Sequence, residues 1–275
     1  MPLILLLDNG SLRAEATKQL RQLAQALSLK SGQKIHPVSL QHANKIPVAD
    51  LNNRPAQTFA SFMQQHLSQG ERHYIILPLF FGESRALTSF IPDEIATLTA
   101  SFGDFHMDIA EVLYPLPDGE PRLVNIVYDN ILATAKIHNS PLKNIILVDH
   151  GSPVARVTAV RKQIASQLQT KFSSDNVHIE QAVMERREGD EYDFNGILLA
   201  DCLLQKAKAG ESTAIVSLLF FLAGRHAGKD GDIVQICETV MQKYPAFNIV
   251  ISPLIADHKN LVSILHDRLQ AELAQ

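Results

Sequence analysis

The sequence predicts an α/β fold written twice: two tandem, doubly wound parallel-sheet domains of flavodoxin-like type. Three observations carry this prediction. The phrase Leu-Leu-Leu-Asp-Asn-Gly-Ser at 5–11 is answered by Leu-Val-Asp-His-Gly-Ser at 147–152. Short β-rich runs at 3–7, 35–40, 74–81 and 107–112 return at 144–148, 177–184, 213–221 and 248–251, displaced by 141, 142, 139 and 141 positions. The stretches between them carry helical periodicity, so strand alternates with helix throughout.

Residues 3–7 read as a first, buried strand. This apolar run has no basic flank and meets Asp8 after five residues, too short for the core of a signal peptide. Gly10 lets the backbone leave the strand sharply, and Ser11 is placed to cap the following helix. Gly151 and Ser152 repeat the device. Neither Gly-Ser has the G-x-S-x-G frame of a hydrolase nucleophile, so both serines read as structural. Leu79-Phe80-Phe81 after the third strand recurs as Leu219-Phe220-Phe221. Near each end, Pro115-Leu116 with Leu123-Val124, Ile126 and Asp129 recurs as Pro253-Leu254 with Leu261-Val262, Ile264 and Asp267. Asn139-Ser140-Pro141 breaks a helix ahead of the second copy, which divides the chain into 1–140 and 141–275. Runs such as 145–148 and 215–221 are apolar on both faces, as a parallel sheet covered by helices on each side requires.

Composition narrows the function classes. With 46% hydrophobic and 20% charged residues and no low-complexity tract, the chain has the makeup of a compact protein rather than a disordered one. A net charge of −4 gives no general basic field, and no nucleic-acid-binding motif occurs, so nucleic acid is not an expected partner. The longest apolar stretch, 214–223, falls well short of the roughly 20 residues a membrane-spanning helix needs. No G-x-G-x-x-G or G-x-x-x-x-G-K-S/T follows a strand, so no nucleotide is expected. Two cysteines, Cys202 and Cys237, lack the spacing of a disulfide framework or a Cys-based metal site, and a reducing cytoplasm is the expected location.

Ligands of open parallel sheets gather at the carboxyl ends of the strands. There the second half places His150 after its first strand, Glu185 after its second and His226 shortly after its third. Two imidazoles and a carboxylate suit a divalent first-row metal and leave coordination positions open. Glu185 opens a charged run, 185–191, and His226 lies between Gly224 and Gly228 in a loop rather than a core segment. The first half is an internal control, with Asn9, Gln41 and, approximately, Ala86 at the matching positions. Side chains needed only for folding would be needed in both copies; these mark a site used once.

His150-Gly151-Ser152 after the first strand, and the segment 219–230 (Leu-Phe-Phe-Leu-Ala-Gly-Arg-His-Ala-Gly-Lys-Asp) after the third, resemble the signatures of the CbiX-type sirohydrochlorin chelatases. These are class II chelatases whose long members carry two copies, and the match covers the second half closely and the first in degenerate form. The resemblance implies two chelatase-fold domains, related by pseudo-twofold symmetry and facing a cleft: a degenerate one at 1–140 and one bearing the metal site at 141–275. It implies a lyase that inserts Co2+ or Fe2+ into sirohydrochlorin or a related tetrapyrrole, in cobalamin or siroheme biosynthesis, without ATP. The divalent ion is then a substrate, the tetrapyrrole is the partner, and the chain acts as a monomer or homodimer. On the matched positions His150 and His226 are the metal-binding and catalytic histidines, and Glu185 falls where related cobalt chelatases have an acidic ligand. Sirohydrochlorin carries eight carboxylates, and Arg186, Arg187, Arg225 and Lys229, next to these residues, are the candidates to grip them.

The sequence also departs from the family pattern. Pro153 stands where many members have Arg, and Gly231-Asp232-Ile233 blurs an Asp-Ile-Pro signature. A second reading is therefore a non-catalytic metal- or tetrapyrrole-binding protein derived from a chelatase. A third, an α/β small-molecule-binding scaffold of periplasmic type, lacks the signal peptide it would need.

Overall fold

The computed structural model describes residues 2–172 and 176–274. Along them the chain runs β1 (Leu3–Asp8), α1 (Ala14–Ser31), β2 (Ile35–Ser39), α2 (Phe59–Ser68), β3 (His73–Pro78), α3 (Ile91–Phe102), β4 (His106–Ile109) and α4 (Pro121–Ile137). The order repeats as β5 (Asn144–Asp149), α5 (Ala155–Phe172), β6 (His178–Val183), α6 (Leu199–Lys208), β7 (Thr213–Leu218), α7 (Asp232–Lys243), β8 (Asn248–Ile251) and α8 (Leu261–Leu273). The strands form two four-stranded parallel sheets, ordered β2-β1-β3-β4 and β6-β5-β7-β8. This is the tandem α/β arrangement expected.

Central position explains why β1 and β5 are strongly apolar. Leu5 pairs with His36 on one side and Ile76 on the other, and Leu147 with Gln181 and Ser217. Helices cover both faces, so Leu5, Leu6 and Leu7, like the residues from Ile145 to Val148, are fully buried. Each such side chain contributes about 1.5–3 kcal/mol over its exposed state. Cys202 and Cys237 are free thiols buried in the core of the second sheet.

The third strands end earlier than the apolar runs suggest. Phe80 and Phe81, and their counterparts Phe220 and Phe221, have left the sheet by then. Their carbonyls instead accept from the amides of Leu113 and Tyr114, and of Ile255 and Ala256. The serines also act differently from expectation. Ser11 Oγ accepts from the Arg13 amide at 3.1 Å and Ser152 Oγ from the Val154 amide at 3.0 Å, closing a turn ahead of each helix; the residue capping α1 is Arg13, without a side-chain bond.

As sequence repeats the halves divide near residue 140, but the packed units divide elsewhere. One unit holds 1–118 together with 259–275, and the other holds 119–258. Helix α4, the last of the first repeat, packs on β7 and α5; α8, the last of the second, packs on α1 and β3. The apolar face of α4 (Leu123, Val127, Ile131) is thus buried in the second unit, where the Asn130 amide also donates to the carbonyls of Pro253 and Leu254. Helix α8 buries Leu261, Ile264, Leu265 and Leu269 in the first, where Arg268 pairs with Glu111 at 3.0 Å. An amphipathic pattern tells a helix to bury one face, but not against which sheet.

Candidate metal centre

At the carboxyl end of each central strand the chain crosses its neighbour closely. Gly151 (φ +92°) and Gly10 (φ +87°) turn out of the sheet where an added Cβ would lie 2.0 Å from the Glu185 carbonyl oxygen and 1.9 Å from that of Gln41. Only glycine fits either place. Backbone bonds fix the crossing: the Glu185 amide donates to the His150 carbonyl at 3.1 Å, and the Gln41 amide to the Asn9 carbonyl at 3.3 Å. Asn9 and Gln41 are therefore the structural counterparts of His150 and Glu185. The backbone brings positions 150 and 185 together whatever side chains they carry.

His226 arrives from the loop between β7 and α7. In the first unit a π-helical turn, Ala86–Phe90, leads directly into α3. In the second unit the chain holds off the helix until Asp232, folding back so that the Ile233 amide donates to the His226 carbonyl at 3.1 Å. A Cβ on Gly231 would lie 2.5 Å from that carbonyl, so the fold-back depends on glycine there.

The structure brings all three predicted ligands together. His150 Nε2 lies 3.1 Å from His226 Nε2 and 3.4 Å from Glu185 Oε1. Around an ion with bonds of about 2.1 Å, adjacent ligand atoms stand about 3.0–3.4 Å apart, so the spacing already fits a shared cation. The imidazoles meet edge to face, centroids 4.6 Å apart with planes at 75°. Glu185 is 61% and His150 50% exposed, whereas His226 is only 17% exposed, so the cluster opens to solvent from the His150 side.

Both imidazoles are oriented by their far nitrogens. His226 Nδ1 meets Asp232 Oδ2 at 2.8 Å, and His150 Nδ1 lies 3.1 Å from the Gly151 carbonyl oxygen. A carbonyl or carboxylate oxygen accepts, so each Nδ1 carries a proton, and in the neutral imidazole each Nε2 then presents a lone pair. Two lone pairs facing each other at 3.1 Å repel; a cation or a proton between them satisfies both. Asp232 also sits in the first turn of α7, where the helix dipole favours its charge.

A buried network anchors the strand end that bears His150. Arg161 of α5, 1% exposed, donates to Asp149 and to the carbonyls of Ala182 and Asn195. The Asn195 side chain, fully buried, accepts from the Ser152 amide and Thr158 Oγ1, both at 3.0 Å, and donates to the Ser152 carbonyl at 2.9 Å. Burial raises the Asp149 carboxyl pKa, and the Arg161 guanidinium opposes the rise. In the first unit Leu20 occupies the place of Arg161. There Asp8 Oδ1 is buried without a partner, and burial pushes the carboxyl up to about 6 despite hydrogen bonds from Ser39 and Gly10.

The predicted cations are dispersed. Arg186 donates to Asp193 at 2.8 Å and Arg187 lies over the Tyr192 ring, 5.8 Å from its centroid. Arg225, 76% exposed, approaches Asp232 at 3.4 Å, and Lys229 is exposed. Sequence reasoning missed Asp232, Asp149, Arg161 and Asn195. Two signals were available: Asp8 and Asp149 recur at the same repeat position, and Arg161 falls in helical phase with Ile164, Ala165 and Leu168, a charge on an apolar stripe. A cavity lined by Arg21, His36, Arg54 and Gln57 lies in the first unit. No helix among the described residues is long and apolar enough to cross a membrane.

Comparison with known proteins agrees with this fold. The chain aligns with SirB from Bacillus subtilis with Fe3+ at 17% identity and a TM-score of 0.66, covering 98% of this chain and 95% of that one. It aligns with the sirohydrochlorin chelatase SirB from Bacillus subtilis subspecies spizizenii in complex with cobalt at 16% identity and a TM-score of 0.68, covering 98% and 94%. A third structure, CbiX, described as the terminal enzyme for biosynthesis of siroheme in denitrifying bacteria, aligns at 14% identity and a TM-score of 0.60, covering 98% of each chain. No curated protein sequence matches the chain. The profile of the CbiX family matches twice, over residues 3–133 and 144–272, and the chain therefore belongs to that family.

Proposed function

We propose that this protein is a chelatase that inserts a divalent metal, Co2+ or Fe2+, into sirohydrochlorin or a related tetrapyrrole without ATP. The observation that carries the reading is the pair of Nε2 lone pairs facing each other at 3.1 Å beside Glu185, with both Nδ1 atoms already engaged. Family membership and the metals named with the two SirB structures support it.

Insertion exchanges one divalent ion for the two protons on the pyrrole nitrogens. The ion arrives as a substrate on His150 Nε2, His226 Nε2 and Glu185 Oε1. As it passes to the ring nitrogens it vacates these lone pairs, and the two ring protons take its place on the imidazoles. Each Nε2 thus serves first as ligand and then as base. Asp232 stabilises the His226 imidazolium so formed, and solvent exposure at His150 lets the proton leave. Three ligands rather than four keep the ion releasable. Arg187, Arg225 and Lys229 are exposed and close in sequence to the ligands, and would offer charge to the carboxylates of the macrocycle, while Arg186 is held by Asp193.

Anaerobic incubation of the purified chain with sirohydrochlorin and Co2+ or Fe2+, followed by absorbance, tests the proposal. Metal insertion that is lost in His150→Ala/His226→Ala supports it. Insertion surviving that double change would overturn the site assignment, and metal binding without insertion would favour the non-catalytic binding protein that Pro153 and Gly231 suggest.

A further inference from the structure

A second cluster of metal-ligating side chains lies in the first unit, at the opposite ends of the strands. His73 is the first residue of β3 and His106 the first of β4, and the two are partners across the parallel ladder. Asp108 follows His106 by two residues, so strand pleating puts both side chains on one face of the edge strand. His73 Nε2 lies 3.2 Å from Asp108 Oδ2, and His106 Nε2 lies 2.9 Å from Asp108 Oδ1. The imidazole centroids are 4.9 Å apart, and one ligand atom from each residue falls within 4.8 Å of the others. A further carboxylate, Glu272 of α8, lies within electrostatic range of Asp108.

We propose that His73, His106 and Asp108 form a second divalent transition-metal site, independent of the centre at His150, Glu185 and His226. Imidazole nitrogens favour zinc, cobalt, nickel or copper over the hard ions magnesium and calcium. The side chains are 49%, 67% and 33% exposed, so water completes the coordination. The repeat again supplies a control. At the matching positions of β7 and β8 stand Thr213, Asn248 and Val250, none of which offers an imidazole or a carboxylate. Each copy therefore carries one two-histidine, one-carboxylate cluster that the other lacks, one at the amino ends of its strands and the other at the carboxyl ends. Bound metal would pin the edge strand β4 to β3.

The full-length chain, stripped of metal, is titrated with Co2+ and followed by calorimetry and visible absorption. Wild type is expected to bind two equivalents, and H73A/H106A and H150A/H226A one each. The quadruple variant should lose high-affinity binding, with at least a 100-fold rise in Kd. Circular dichroism and thermal unfolding establish that each variant folds. H73A/H106A that binds as many equivalents as wild type overturns the proposal, as does folded H150A/H226A that binds none. The readout needs no tetrapyrrole, so loss of chelatase activity and loss of this site are scored separately.

Discussion

Replacing Asp232 by Asn keeps an acceptor for the His226 Nδ1–H but removes its charge. The bond is 2.8 Å long, and the carboxylate side chain is about two-thirds buried. A hydrogen bond to a charged partner is worth about 1.5–3 kcal/mol, against about 0.5–1.5 kcal/mol for a neutral one, so the substitution should cost about 1–2 kcal/mol of ligand orientation and basicity. At about 1.4 kcal/mol per decade, Co2+ affinity at the second-unit centre should fall roughly 5- to 30-fold. Asp232→Ala, which leaves Nδ1 no acceptor, should cost up to about 100-fold. Competition titration with a chromophoric chelator measures this, in an H73A/H106A background so that one site is read alone. Co2+ affinity unchanged in both Asp232 variants, when His226→Ala abolishes binding, would refute the tautomer argument and the role given to Asp232.

Two stability predictions follow from the unequal treatment of the repeated aspartate. Asp8 titrates at about 6 when folded, above its ordinary 3.8, so the folded state holds its proton more tightly. The stability it contributes is complete below about pH 4 and is lost as pH rises through 6. Asp8→Asn should therefore leave stability unchanged at pH 4 and raise it by up to about 3 kcal/mol at pH 7.5, from about two units at about 1.4 kcal/mol each. Urea unfolding at both pH values checks this, and an equal gain at pH 4 would point to packing instead. Arg161→Leu, which installs the first-unit residue in the second, leaves the Asp149 charge buried and unpaired and should destabilise by about 3–5 kcal/mol at neutral pH. The double variant Asp149→Asn/Arg161→Leu should recover much of that loss; denaturation curves of the two single variants and the double variant decide.

The fold was legible because parallel sheets write themselves in uninterrupted apolar runs, and here twice. The convergence of His150, Glu185 and His226 was legible for a related reason: Asn9 and Gln41 occupy the same crossing in the first copy, so the side chains that differ stood out against the repeat. Asp232 was harder to find, because its role depends on the fold-back of 223–231, which is set by close backbone contacts at Gly228 and Gly231 rather than by periodicity. The cluster at His73, His106 and Asp108 stayed hidden because His73 and His106 are 33 positions apart and meet only through strand register. Helix exchange was invisible for the same reason, since the apolar stripes of α4 and α8 suit either sheet.

That exchange makes the two units depend unequally on an unbroken chain. Residues 119–258 form one continuous block, so every segment of the second unit lies within a single stretch of polypeptide. The first unit instead joins 1–118 to 259–275, whose helix α8 covers α1 and β3. A cut at residue 258 would leave the second unit with all its segments and strip the first of the helix that seals it, so damage near the carboxyl end is felt at the amino end.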